Sequence, residues 1–152
     1  MILLQCDENL LKIFNRFLTY LKIDAKAEVF SGNHADIAII RCAEDVNRID
    51  ADLCIINSDD TELIKSSRPG GGKIITCGFG SRSTVTLSSL SDCECVICLQ
   101  RSIKSVSGKR ILPLEIPVQL CGIKFDDVSI LMMITAALLC DTPVSMLNKI
   151  QL

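Results

Sequence analysis

Residues 52–60, Asp-Leu-Cys-Ile-Ile-Asn-Ser-Asp-Asp, place a short apolar run directly before a cluster of polar side chains. An uninterrupted apolar run of this length is typical of a strand that is buried on both faces of a sheet. The polar residues that follow are typical of a turn or of a helix start. The segment therefore predicts a buried strand whose end carries polar side chains.

Three further apolar runs, residues 2–6, 36–40 and 73–77, fit the same pattern. Between the first two, apolar side chains recur at helical spacing and form one stripe: Leu10, Phe14, Phe17, Leu18 and Leu21. Residues 44–49 and 61–66 predict two short helices, and the polar residues 24–34 predict a turn. Apolar runs separated by helices and loops predict an α/β fold with a mostly parallel sheet.

The second half of the chain predicts an antiparallel hairpin extension of that sheet. The candidate strands are residues 84–88, 95–101 and 111–120. Residues 105–109 predict the hairpin turn between the last two, since Gly108 tolerates a positive φ. Pro113 and Pro117 predict that the second hairpin strand lies at an edge or is interrupted.

The C-terminal part predicts a buried helix. Asp126 or Asp127 is expected to cap it, and it continues to Cys140. Its residues are apolar nearly all round, so it should be covered on several sides. Thr142 and Pro143 predict the start of a final short helix, with the proline at its first position.

The composition and charge of the chain argue against several classes of protein. The chain has 152 residues, 49% hydrophobic and 22% charged, which predicts one folded domain over residues 1–152 and excludes disorder. A net charge of −2 gives no general attraction to nucleic acid or to an anionic membrane. The longest apolar stretch, residues 128–140, is shorter than the roughly 20 residues that span a bilayer. We expect neither a signal peptide nor a membrane span.

The nine cysteines are odd in number, and most of them lie within apolar runs. They predict buried free thiols in a reducing compartment, and therefore a cytoplasmic protein. Cys93, Cys95 and Cys98 are weak candidates for a metal site, with Cys121 as a fourth ligand. Because they merge into a predicted strand, thiols on a buried sheet are the favoured interpretation.

Two other patterns resemble a phosphate-binding loop and a catalytic site, but neither has the residues that such a site needs. Gly70-Gly71-Gly72-Lys73 is followed by Ile74 and precedes a strand, whereas a P-loop needs Ser or Thr there and opens a helix. His34 is the single histidine, and no nucleophile motif accompanies it. The sequence therefore predicts no catalytic residue and no cofactor.

Clustered charges leave alternatives open. Asp59-Asp60 and Asp126-Asp127 are paired acids that suit either Mg²⁺ or helix capping, and capping is favoured. Four basic residues cluster around the predicted hairpin: Arg101, Lys104, Lys109 and Arg110. A solvated hairpin tip is the favoured interpretation, and a site for an anion or a partner is the alternative.

Residues 51–147 resemble the later part of the ATP-binding central domain of Mur ligases. The matching segments are the strand ending in Asn57-Ser58-Asp59-Asp60, the strand ending in Gly78-Phe79-Gly80, the strands of residues 85–120 and the helix of residues 131–140. Mur ligases join amino acids to the UDP-muramoyl precursor of peptidoglycan, so the resemblance implies a bacterial, peptidoglycan-related ancestry. Residues 1–50 match less clearly and form a divergent β-α-β start.

The departures from that family concern its catalytic parts. The P-loop is missing, and Phe125-Asp126 stand where the family has His-Asn. The resemblance thus implies the fold without ligase activity. It also implies that a vestigial nucleotide base site lies near five residues: Asn57, Asp60, Lys124, Phe125 and Asp126.

These observations yield three hypotheses. The leading one is a non-catalytic, degenerate Mur-ligase-like module that binds a protein partner or scaffolds an assembly, with self-association as one form of it. The second is a sensor that keeps a weak nucleotide or UDP-sugar site. The third is a metal or redox protein that uses its cysteines.

Overall fold

The apolar runs of the first half form strands where their pattern predicts them. The computed structural model describes residues 1–6, 8–30, 34–43, 49–66, 72–91, 94–121 and 126–151. Its strands are β1 (Ile2–Leu4), β2 (Ala27–Val29), β3 (Ala35–Ile40), β4 (Ala51–Asn57), β5 (Lys73–Cys77), β6 (Val85–Leu90), β7 (Glu94–Leu99), β8 (Ile103–Lys104), β9 (Arg110–Ile111), β10 (Leu114–Cys121) and β11 (Lys149–Gln151). Its helices are α1 (Glu8–Tyr20), α2 (Thr61–Ser66), α3 (Asp127–Leu139) and α4 (Val144–Leu147).

Nine of these strands form one sheet in the order β11-β10-β7-β6-β5-β4-β3-β1-β2. Neighbouring strands from β2 to β6 are parallel, and so are β10 and β11. β7 is antiparallel to both β6 and β10. The protein is therefore α/β with a mostly parallel sheet.

The strand order reverses direction once, beside β1. The chain leaves β1 through α1 and returns as β2 on one side, and then places β3 on the other side of β1. This is the 2-1-3-4-5 arrangement of doubly wound sheets, whose ligands bind at the carboxyl ends of the strands where the order reverses. The fold thus directs attention to the ends of β1, β3 and β4.

One face of the sheet is covered by α1 and α3. The predicted stripe of α1 is buried at Phe14, Phe17 and Leu18. Every residue of α3 from Ser129 to Leu139 is buried, which confirms the prediction of a helix covered on several sides. Apolar residues of β1, β3, β4 and β7 complete this core.

The opposite face carries a smaller core under α2. Leu63 of α2 packs with apolar residues of the central strands, including Leu3, Ala38, Cys54 and Ile56. Beyond β5, this face is half-buried or exposed at alternate positions of β7 and β10. That alternation is typical of antiparallel strands with one solvated face.

The predicted hairpin turn is present, but its strands differ from the prediction. Gly108 has a φ of 86° within the turn. The turn joins β8 to β9, which form a separate two-stranded sheet. The strand before them, β7, pairs with β10 directly. The hairpin of residues 103–111 is therefore an insertion between two paired strands.

Pro117 lies within β10, in the part of the strand that pairs with β7 on one side only. β10 pairs with β7 from Leu114 to Gln119, whereas β11 reaches only Gln119 to Cys121. The proline therefore lies where β10 is still an edge, and its missing N–H costs no ladder bond with β11. Of the two predicted alternatives, the edge position holds for this half of β10, whereas its pairing with β7 is not interrupted.

Two strands and one cap differ from the sequence prediction. β2 forms within residues 24–34, which were predicted to be a turn, and β11 follows the final helix. Pro143 is the N-cap of α4 and precedes its first helical position. The predicted helix of residues 44–49 and the glycine loop of residues 70–72 lie mostly outside the described residues. Among the described helices, none is long and apolar enough to cross a membrane.

Candidate functional site

Polar side chains at the end of β4 hold the turn that follows the strand and the start of α2. Asn57 Oδ1 accepts the backbone N–H of Asp59 at 3.0 Å, which closes a turn directly after the strand. Asp60 Oδ1 accepts the backbone N–H groups of Glu62 and Leu63 at 3.0 and 2.9 Å. Asp60 is thus the N-cap of α2, as the capping interpretation predicted.

Ser58 and Asp59 tie this turn to the end of β5. The backbone N–H of Ser58 donates to the carbonyl of Cys77 at 2.8 Å. The carboxylate of Asp59 accepts the backbone N–H of Phe79, with Oδ2 3.0 Å from the nitrogen. The two motifs of the Mur-ligase resemblance in this region therefore meet in space and fix each other.

Gly78 makes this close approach feasible. A Cβ at this position would lie 2.8 Å from Asp59 Oδ1 and closer still to Ser58 Oγ. A side chain there would displace the Ser58 hydroxyl or the Asp59 carboxylate, whose hydrogen bonds hold the two turns together. The side chain that follows, Phe79, remains 52% exposed although its backbone is held.

The carboxyl ends of β1 and β3 form the neighbouring part of this edge. Gln5 Oε1 accepts the backbone N–H groups of Arg41 and Cys42 at 2.9 and 3.0 Å. The Arg41 guanidinium lies 3.1 Å from Asp126 Oδ2. This ion pair links the point where the strand order reverses to the start of α3.

Asp126 is also the N-cap of α3. Its carboxylate accepts the backbone N–H of Ser129 at 2.9 Å and the Ser129 hydroxyl at 2.6 Å. Partial burial opposes the charge, but the bonds from Ser129 and the nearby Arg41 outweigh it and lower the pKa of Asp126. The carboxylate is therefore held in its charged form.

The predicted base-site residues divide into three groups. Asn57 and Asp60 lie within one turn, and both use side-chain oxygens to hold backbone N–H groups. Asp126 belongs to the neighbouring β3–α3 junction through Arg41. Lys124 and Phe125 lie outside the described residues, so the nucleotide site stays a prediction.

The cysteine candidates do not gather in the part of the chain that the structure describes. Cys95 is buried in the core beneath α3, whereas Cys98 is half-buried and lies outside that core. Cys93 lies outside the described residues, and so does the side chain of Cys121. Among the described residues, no group of three His, Cys, Asp or Glu side chains is arranged to hold a metal.

Burial also governs the chemistry of the thiols. It raises the pKa of Cys95 and of Cys54 to about 11. It raises the pKa of the fully enclosed Cys77 to about 12, although a hydrogen bond with Thr135 opposes the shift. These three thiols are protonated near neutral pH, and a protonated thiol is a poor nucleophile and metal ligand.

His34 lies at the opposite end of the sheet. Its ring nitrogens are 3.2 Å from Asp50 and 3.7 Å from Asp52, which flank the start of β4. It is therefore remote from the carboxyl edge that Asn57 and Asp60 occupy.

The sequence analysis missed Gln5 and Arg41. Gln5 is the polar residue near the end of the first apolar run, and Arg41 directly follows the second, so the rule on carboxyl ends of parallel strands could have marked them. The pairing of Arg41 with Asp126 spans 85 residues of sequence, and no local pattern could have shown it. Comparison with protein-family models and with curated proteins gave no match.

Proposed function

We propose that this chain is a non-catalytic, Mur-ligase-like binding module that holds a protein partner at the carboxyl edge of its sheet. The observation that carries the proposal is the junction of Asp59 with the Gly78-Phe79 turn. This junction holds the backbone of a half-exposed aromatic residue in one position. Aromatic side chains that need little ordering are typical anchors of protein interfaces.

The chemistry of this edge supports binding more than catalysis. The oxygens of Asn57 and Asp60 already accept backbone N–H groups, and the Asp126 carboxylate is shared by Arg41 and Ser129. A group that holds a turn or a helix end cannot leave it to coordinate a metal without cost to the fold. These residues therefore suit a rigid surface that presents Phe79.

A pair of variants tests this surface. Phe79→Ala removes the ring, and Leu112→Ala removes another apolar side chain, 61% exposed, from the loop between β9 and β10. A partner that co-purifies with the tagged protein from its native cell should be lost with Phe79→Ala and retained with Leu112→Ala. Equal recovery with both variants, or ATP-dependent ligation of an amino acid by the pure protein, would overturn the proposal.

A nucleotide or UDP-sugar sensor is the second candidate. It is favoured by the position of Arg41 and Asp126 where the strand order reverses, since doubly wound sheets bind ligands there. This candidate predicts saturable nucleotide binding that Asn57→Ala abolishes. Binding that survives Asn57→Ala would count against it.

Two further expectations belong to the proposal. Seven described cysteines are free thiols, which supports a reducing, cytoplasmic setting. Self-association would use the edge strands β2 and β11, each of three residues. Because such short edges offer few backbone groups, we expect any dimer to be weak. Analytical ultracentrifugation over a range of concentrations tests this expectation.

A further inference from the structure

A cleft lies at the end of the sheet opposite Asn57 and Asp60, between the amino ends of β4 and β5 and the β8–β9 hairpin. Its volume is about 450 Å³, within the range of small-molecule sites. Four basic side chains line it: Lys73, Arg101, Lys104 and Arg110. The other lining residues are the hydroxyl residues Thr84 and Ser102 and the apolar residues Leu53, Ile74, Ile75 and Ile103. No carboxylate is among the described residues that line this cleft.

Two of the cations oppose each other directly. Lys104 and Arg110 are cross-strand partners in the β8–β9 pair. Like charges in this arrangement repel and weaken the hairpin. The Arg110 guanidinium donates to Ser102 Oγ at 3.3 Å, which turns it toward an uncharged partner. The hairpin therefore keeps a repulsion between the Lys104 and Arg110 side chains, and an anion bound by both side chains would relieve it.

The basic side chains also lack carboxylate partners in the described part of the chain. The described ion pairs with Asp or Glu involve Met1, Lys26, His34 and Arg41. Asp50 and Asp52 lie in the adjoining cleft, and both face His34. Lys73 and Lys104 line both clefts, and Asp36 also lies in the adjoining one. The cations from β5, the β7–β8 segment and the hairpin thus converge without a described ion pair.

We propose that this cleft binds a small phosphate ester of nucleoside-diphosphate size. The phosphates would lie among Lys73, Arg101, Lys104 and Arg110, because guanidinium and ammonium groups form charge-assisted hydrogen bonds with phosphate oxygens. The uncharged part would lie against the apolar floor, where Ile74 is 42% exposed. The overall charge of −2 disfavours a long polyanion, since the attraction is confined to the cleft.

Calorimetric titration with ADP, pyrophosphate and adenosine at low ionic strength tests the proposal. We expect ADP to bind with one site per chain and pyrophosphate to bind more weakly. Adenosine should give no saturable heat. A folded wild-type protein that binds neither ADP nor pyrophosphate would overturn the proposal.

The Lys104→Glu variant separates binding from folding. It places a carboxylate opposite Arg110, so the melting temperature should stay the same or rise while ADP affinity falls by about tenfold or more. Lys12→Glu makes the same change of charge on the exposed face of α1 and should leave ADP affinity unchanged. Equal losses in both variants would show general electrostatics and contradict a built site.

Two more variants locate the ligand. Arg101→Gln should also weaken ADP binding, because Arg101 lines the cleft from the β7–β8 segment. Asn57→Ala changes the opposite end of the sheet and should have no effect. If Asn57→Ala abolishes ADP binding and Lys104→Glu does not, the ligand lies at the carboxyl edge and the proposal is wrong.

Discussion

The Asp59 carboxylate accepts the backbone N–H of Phe79, 20 residues further along the chain. The contact ties the turn after β4 to the turn after β5, so that neither turn can move independently. Gly78 stands between them, and a Cβ there would meet the Ser58 hydroxyl and the Asp59 carboxylate. The exposed Phe79 ring is thus attached to backbone that three local interactions fix: the Asp59 bond, the Ser58 bond to Cys77 and the packing at Gly78.

The first prediction concerns the two glycines that flank Phe79. Gly78→Ala should lower the free energy of unfolding by about 2 kcal/mol, because its Cβ would meet Ser58 Oγ and Asp59 Oδ1. Gly80→Ala is the matched control, since its Cβ would lie 3.8 Å from Ser83 Oγ, an ordinary contact. Urea unfolding of both variants measures the difference. Equal stabilities would show that the Asp59–Phe79 junction is not tightly packed.

The second prediction concerns the cap of α3. Asp126→Ala should lower the free energy of unfolding by about 1 kcal/mol, because it removes the acceptor for the Ser129 N–H. Asp126→Asn keeps an oxygen in place and should cost less. If urea unfolding shows that Asp126→Ala is as stable as Asp126→Asn, the result would contradict a capping role for Asp126.

The pH dependence of the same group is a third prediction. The folded protein lowers the pKa of Asp126 below its ordinary value of 3.8. Its contribution to stability is therefore fully present above pH 3.8 and is lost as the pH falls through the lower, folded pKa. As the pH is lowered from 5, the urea midpoint of the wild type should fall further than that of Asp126→Asn. Parallel pH profiles for the two proteins would contradict the depressed pKa.

The fourth prediction concerns Cys95 and Cys98, two thiols three positions apart on β7. Cys98 is half-buried, whereas Cys95 is 1% exposed and burial raises its pKa to about 11. Iodoacetamide at pH 8 should therefore modify Cys98 well before Cys95, as followed by peptide mass spectrometry. In urea the two thiols should react at similar rates. Faster modification of Cys95 in the folded protein would show that β7 faces the other way.

The local patterns of sequence were sufficient for much of the fold. Apolar runs predicted β1, β3 and β4 because strands covered on both faces need uninterrupted apolar residues. The run of residues 73–77 also forms a strand, β5, but its Lys73 and Ile74 side chains are exposed. The bounds of α3 were predicted to within one residue from a cap at Asp126 or Asp127 and the apolar length up to Cys140, and the structure has Asp126 as the cap. These features depend on neighbours in sequence, so no knowledge of the tertiary structure was needed.

β2 could not be predicted because it is held by distant parts of the chain, the parallel strand β1 and the side chain of Asn15. The side-chain amide of Asn15 donates to the carbonyl of Ala27 and accepts its N–H, both at 3.0 Å. Asn15 thus acts as a backbone partner for a strand of three residues. The helical pattern of α1 placed Asn15 on its polar side and gave no sign of this contact.

The candidate site likewise contains contacts that the sequence predicts and contacts that it does not. The pairs Asp59-Asp60 and Asp126-Asp127 were predicted to cap helices because capping depends on the next few residues, and Asp60 and Asp126 are the members that do so. The Gln5–Arg41 contact and the ion pair of Arg41 with Asp126 join strands that are far apart in sequence. The basic hairpin cluster was visible in the sequence, but Lys73 joins it only through the sheet.

Photo-crosslinking from position 79 in the native cell tests the central claim most directly. A photoreactive residue replaces Phe79 in one sample and Tyr20, 41% exposed at the end of α1, in the control. Our account predicts one discrete crosslinked species from position 79 and none of that mass from position 20. The same pattern from both positions, or no crosslink from position 79 in folded protein, would contradict the claim that this edge is the binding surface.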